Sequence, residues 1–112
     1  MQETARNKIK EYINSDRVVV FMKGTKDFPQ CGFSAVVAEI LKRSGASFRS
    51  VNVLAEMDVR EGIKEFSDWP TIPQVYFNGS FIGGCDIMRE LYESGQLGPM
   101  LQKALDDERQ LV

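Results

Sequence analysis

The chain contains no histidine and only two cysteines, Cys31 and Cys85, among its 112 residues. A tetrahedral thiolate metal site needs about four sulfur ligands, so this chain cannot close such a shell alone. A disulfide-stapled secreted domain ordinarily carries more cysteines, which points to a reducing intracellular compartment. No apolar stretch is long enough to cross a bilayer, so no membrane partner is expected. No long basic run exists and the formal net charge is −2, which argues against nucleic-acid binding. The segment Met1 to Glu11 is polar and charged, unlike a signal peptide. A transit peptide already removed stays open.

The remaining composition is that of an ordinary globular protein, 43% hydrophobic and 27% charged. The length suits one domain, which would bury about two-thirds of its unfolded surface. Ala5, Ile9, Tyr12 and Ile13 recur at helical spacing and predict a helix over Gln2 to Ser15. Val18 to Met22 is a continuous apolar run, the pattern of a buried central strand. Val36, Val37, Ile40 and Leu41 predict a helix over Phe33 to Ser44, which Gly45 stops. A second strand is expected over Ser47 to Val53 and a helix over Asp58 to Phe66. Asn78-Gly79 between Gln74–Phe77 and Ser80–Ile82 signals a hairpin. Asp86 stands where a helix N-cap belongs, ahead of Ile87, Met88, Leu91 and Tyr92. A last helix is expected over Leu97 to Leu105. A β-α-β start followed by a hairpin implies a four-stranded mixed sheet with helices on both faces.

Cys31 carries the chemistry. It lies in Pro29-Gln30-Cys31-Gly32-Phe33-Ser34, between a strand with its loop and a helix. A thiol at a helix mouth meets unpaired N–H groups and the positive dipole end, which favour thiolate. The dipole contributes about 0.3–1 kcal/mol, up to ~2, or roughly one pKa unit or less. Lys23 is the candidate for a further push. Ser34 occupies the place of the second cysteine in a C-x-x-C pair, so no local resolving thiol exists. The competing reading is a buried structural thiol.

Three further features accompany it. In Thr71-Ile72-Pro73, a cis bond before Pro73 would turn the Ile72 N–H and C=O outward, towards an extended peptide; a plain trans turn is the alternative. In Gly83-Gly84-Cys85-Asp86, the N–H groups of Cys85 and Asp86 could hold a carboxylate and the Asp86 side chain an ammonium. Simple capping by Asp86 and packing of Cys85 are the plain alternatives. Lys23 and Arg60, either solvated surface cations or ligand contacts, could bracket with Asp86 a small zwitterionic peptide bearing two carboxylates. Glutathione fits that description.

Phe21-Met22-Lys23-Gly24-Thr25, Cys31-Gly32-Phe33-Ser34, Trp69-Pro70-Thr71-Ile72-Pro73-Gln74-Val75-Tyr76 and Gly83-Gly84-Cys85-Asp86-Ile87 together resemble the monothiol glutaredoxins of the CGFS type. The resemblance runs from about Ile9 to Leu101. It implies one glutaredoxin domain over 1–112, a thioredoxin-like α/β fold with strand order 2-1-3-4, and a cis Pro73. It implies Cys31 as ligand to a [2Fe-2S] cluster that bridges two subunits, with two glutathione thiols completing the shell. The protein would then be a homodimer with the cluster and a monomer without it. Lys23 and Arg60 would bind the glycine carboxylate of glutathione, Ile72 its cysteinyl backbone, and Cys85 and Asp86 its γ-glutamyl end. The stretch Gly24 to Gln30 matches the long loop that separates this class from dithiol relatives. Asn52-Val53-Leu54 looks like the single-domain bacterial and mitochondrial members, which implies a bacterial cytoplasm or a mitochondrial matrix.

The function so implied is an iron–sulfur carrier that takes a cluster from a scaffold protein and passes it to apo-acceptor proteins. A link to BolA-type partners is implied by the resemblance and by no residue here. The rival is a glutathione-dependent thiol–disulfide oxidoreductase acting through Cys31. A plain interaction domain would leave the surroundings of Cys31 and Asp86 unexplained.

Overall fold

The computed structural model describes residues 1–107; residues 108–112 of the expected domain lie outside the described ones. The elements run α1 (Glu3–Asn14), β1 (Val18–Met22), α2 (Gly32–Arg43), β2 (Arg49–Asn52), α3 (Met57–Ser67), β3 (Gln74–Phe77), β4 (Ser80–Gly83), α4 (Cys85–Glu93) and α5 (Leu97–Asp106). They form one four-stranded sheet in the order β2-β1-β3-β4. β1 is parallel to β2 and antiparallel to β3, and β3 is antiparallel to β4.

β1 lies second in the sheet and is wholly buried, as its unbroken apolar run requires. Its side chains alternate between two cores. Val18, Val20 and Met22 pack with Val37 and Leu41 of α2, Met88 of α4 and Leu97 and Leu101 of α5. Val19 and Phe21 pack with Ile9 and Ile13 of α1 and Val59 and Ile63 of α3. Full burial of each such side chain contributes about 1.5–3 kcal/mol. The alternation therefore holds a helical layer on each face.

Element ends differ from the sequence expectation by a residue or two, with β2 shorter than Ser47 to Val53. Gly45 does stop α2. It takes φ +77, and the Ala46 N–H returns to the Leu41 carbonyl at 3.0 Å. One placement is corrected. Asp86 is not the N-cap of α4: Gly84 holds that position, and Asp86 falls in the first helical turn. The reason is a close approach. A Cβ at Gly84 would stand 3.1 Å from the Pro73 carbonyl oxygen and 3.3 Å from Trp69 Nε1. A glycine there lets the chain pass the Trp69–Pro73 turn and enter the helix at once, leaving the Asp86 side chain exposed.

Topology gathers the motifs. The parallel strands end side by side, with Met22 opposite Asn52. β3 starts at that same end, with Gln74 opposite Phe21. β4 ends there too, with Gly83 opposite Val75. The segments leaving β1, β2 and β4, and the one entering β3, therefore meet at one end of the sheet.

Candidate functional site

A cleft of about 430 Å³ opens at that end. Every site residue expected from the sequence lines it: Lys23, Cys31, Arg60, Ile72, Cys85 and Asp86. Lys23 is the first residue after β1, Cys31 is the N-cap of α2, and Arg60 lies in the first half of α3. Ile72 precedes Pro73 through a cis peptide bond, and Cys85 and Asp86 open α4.

The loop from Lys23 to Gln30 brings Cys31 back beside Lys23. The Gln30 N–H donates to the Lys23 carbonyl at 2.9 Å, and Thr25 and Phe28 bond each other's backbone in both directions. Gly24 makes the turn at φ +88, where a Cβ would lie 2.4 Å from the Phe28 carbonyl oxygen. Only glycine fits there. Ser34 is fully buried, and its hydroxyl accepts the Lys23 N–H at 3.1 Å. The residue standing in place of a second cysteine thus ties the strand end to the helix.

The two thiols are driven apart in acidity. The Ser34 N–H holds the Cys31 thiol below the ordinary range, helped by the Phe33 N–H and the Lys23 charge; burial opposes them. The helix mouth is the main cause, with Lys23 secondary. Burial pushes the Cys85 thiol up, against a weaker pull from Arg89, whose guanidinium lies 3.8 Å from the sulfur. The Cys31 alkylation rate is therefore expected to reach half its maximum below the free-thiol value of about 8.5. Lys23→Ala should raise that midpoint modestly, and Cys85 should react more slowly near neutral pH. Iodoacetamide labelling against pH with peptide mapping checks this; a Cys85 that labels first contradicts it.

The polar groups of the lining follow a definite pattern among apolar residues such as Phe33, Trp69, Pro70 and Ile87. Lys23, Arg60 and Asp86 form no ion pair among the described residues. The Arg60 Nε is buried and without a hydrogen-bond partner. The Ile72 N–H and C=O are likewise unbonded among the described residues. Burying a polar group without a partner is costly, so such groups at a cleft mark where a ligand can bond. The arrangement offers cations on one side, an extended-peptide edge in the middle, and a helix N-terminus with a carboxylate on the other.

Some contributors were not legible from the sequence. Lys64 lines the cleft one turn after Arg60, a spacing of four that puts both on one helix face. Phe33 and Thr71, which the sequence motifs already contain, line it as well. Gln74 is fully buried, and its Nε2 donates to the carbonyls of Trp69 at 3.1 Å and Thr71 at 3.2 Å. Its Oε1 accepts the Tyr76 hydroxyl at 3.2 Å. Gln74 thus sets the course of the turn that presents Ile72.

Comparison with known proteins shows the family and the fold. The glutaredoxin family profile matches residues 18–82. A ycf64-like monothiol glutaredoxin of Synechocystis is 52% identical over 105 residues, covering 94% of this chain and 98% of that protein. The mitochondrial glutaredoxin-related protein 5 of Danio rerio is 55% identical over 96 residues, 85% of this chain and 62% of that protein. Among solved structures, reduced apo GrxS14 of poplar superposes with a TM-score of 0.81 at 51% identity, covering 91% of this chain and 94% of that one. The holo form of glutaredoxin C1 from Populus tremula x tremuloides reaches 0.85 at 30% identity, over 96% and 95% of the two chains. A buckwheat glutaredoxin–glutathione complex reaches 0.81 at 28% identity, over 95% and 94%. Half of the residues are shared with proteins of one kind along nearly the whole length, on the same fold and with serine in place of a second active-site thiol. The chain belongs to the monothiol glutaredoxins.

Proposed function

We propose that this protein binds glutathione in the Cys31 cleft and that two copies carry a [2Fe-2S] cluster between them for delivery to apo-proteins. The observation that carries the reading is the convergence of a thiolate-favouring Cys31 with unpaired cations, an open peptide edge and the α4 N-terminus in one cleft. Its volume lies within the range of small-ligand sites, about 300–1,000 Å³. Glutathione matches the charge pattern. Its glycine carboxylate would meet Lys23 and Arg60, its cysteinyl backbone would pair with Ile72, and its γ-glutamyl end would meet the Cys85 and Asp86 amides and the Asp86 carboxylate. The resemblance to a glutaredoxin–glutathione complex supports that placement.

Ligand arithmetic supports cluster carriage by two chains together. Among the described residues no group of three or more Cys, Asp or Glu could hold a metal. Cys31 from each of two chains, with a thiol from each bound glutathione, supplies four sulfurs. The cluster is cargo, and its release to an acceptor needs only exchange of those thiolates. Phe33, 61% exposed at the cleft, and Phe28, 75% exposed on the neighbouring loop, give a second copy or an acceptor apolar surface to cover. The scaffold donor, the apo-acceptors and a BolA-type partner belong to the same reading. So does a bacterial cytoplasm or a mitochondrial matrix as its compartment.

The rival reading, glutathione-dependent disulfide reduction, uses the same thiolate. With Ser34 leaving no neighbouring thiol, a second glutathione would resolve each mixed disulfide. The long loop over 24–30 and Trp69-Pro70 in the cleft lining suit holding glutathione as a ligand, which disfavours turnover. Anaerobic reconstitution with iron, sulfide and glutathione separates the two. A brown protein that converts an apo-ferredoxin to its holo form supports the carrier. A colourless protein that reduces mixed disulfides rapidly supports the oxidoreductase.

A further inference from the structure

Asn52 is absorbed neither by the cleft lining nor by the proposed ligand contacts. It ends β2, directly opposite Met22 at the end of β1. Each of these strand ends gives rise to one of the two cations assigned to the glycine carboxylate. Lys23 follows β1 at once, and Arg60 follows β2 through the connection into α3. The Asn52 side-chain oxygen accepts two N–H groups, that of Gly24 at 3.0 Å and that of Leu54 at 3.0 Å. The first donor belongs to the Lys23 loop and the second to the connection that leads to Arg60.

One amide oxygen thus holds the two departing segments together. Beside the backbone bond from the Val53 N–H to the Met22 carbonyl at 2.9 Å, it is the side-chain acceptor among the described residues that joins the Lys23 loop to the β2–α3 connection. The other bonds from that loop towards β2 fall elsewhere, from Lys26 to Ser50 Oγ and to the Phe48 carbonyl. Gly24 cannot shift freely at this point, because its turn leaves no room for even a Cβ. A side-chain clip at the root of both segments fixes how far apart Lys23 and Arg60 stand.

We propose that Asn52 is a positioning residue of the glutathione site: its side-chain oxygen sets the spacing of the Lys23 and Arg60 charges that receive the glycine carboxylate. This rests on the glutathione reading above. Asparagine suits the role because a neutral amide oxygen can accept both N–H groups without placing a negative charge beside the incoming carboxylate. Aspartate would accept them as well, but would compete for Lys23.

A double-mutant cycle on the whole chain tests it, with glutathione affinity measured by calorimetry for wild type, Asn52→Ala, Lys23→Met and the double variant. Asn52→Ala should bind about tenfold more weakly, since it loosens a charge-assisted contact without deleting it. In the Lys23→Met background it should cost little more, because it acts through Lys23. Full additivity, or unchanged affinity in Asn52→Ala, overturns the proposal while leaving the glutathione site intact. Absence of binding in wild type overturns both together. A measurement on the wild-type chain covers the case in which the alanine variant does not fold. The Gly24 and Leu54 amides should gain hydrogen-exchange protection together when glutathione saturates the cleft. Protection that stays unchanged at both overturns the clip.

Discussion

Cys31→Ser is expected to abolish cluster binding, the largest effect of any single substitution. In the proposed carrier each chain supplies one sulfur to a shared site, so the variant would remove one ligand per protomer and leave only the glutathione thiols. A serine hydroxyl at the helix mouth stays protonated near neutral pH and is a poor ligand for iron. The visible absorption of reconstituted protein should fall to background. Cys85→Ser should keep most of it. The Cys85 sulfur is buried beside Arg89 with its thiol pushed up, and the role assigned to the residue is its backbone N–H. Equal loss of iron in the two variants would remove the distinction drawn between these thiols.

Charge reversal at Lys23 or Arg60 is expected to give the next largest effect. Losing a charge-assisted contact costs about 1.5–3 kcal/mol. At about 1.4 kcal/mol per tenfold, that is a loss of roughly 10- to 150-fold in glutathione affinity. Arg60→Glu should sit at the upper end, because the Arg60 Nε is buried without a partner and has the most to gain from a ligand. Lys23→Glu should also raise the Cys31 midpoint, since it replaces an attraction on the thiolate by a repulsion. Calorimetry at low and high salt checks both. Unchanged affinity in the two variants would detach the cleft from glutathione.

Local chemistry made much of this molecule legible in its sequence. The Val18–Met22 run, the Asn78-Gly79 turn and the Gly45 stop each act over a few residues, and each appears where its pattern puts it. The order of elements then admits few sheets, and the observed order β2-β1-β3-β4 is the one that the resemblance implies. The residues that line the cleft were legible because four motifs fall at one end of that sheet. Three features were not. Asp86 looks like a cap in sequence, and its displacement depends on how closely Gly84 passes the Pro73 carbonyl. Gln74 reads as an ordinary strand residue, because the carbonyls that it binds come together only in the folded turn. Asn52 reads as part of a motif with no assigned task, because its two donors lie on segments that leave different strands.

The central claim is that a cluster, two glutathiones and two chains form one unit. Shared ligands link association to ligand binding by mass action, so neither the cluster nor the dimer should persist without glutathione. Native mass spectrometry of the reconstituted protein tests this most directly. A dimer is expected whose mass includes one [2Fe-2S] cluster and two glutathiones, and which becomes an iron-free monomer when glutathione is removed. A monomer that carries the cluster, or a cluster-loaded dimer without glutathione, would contradict it.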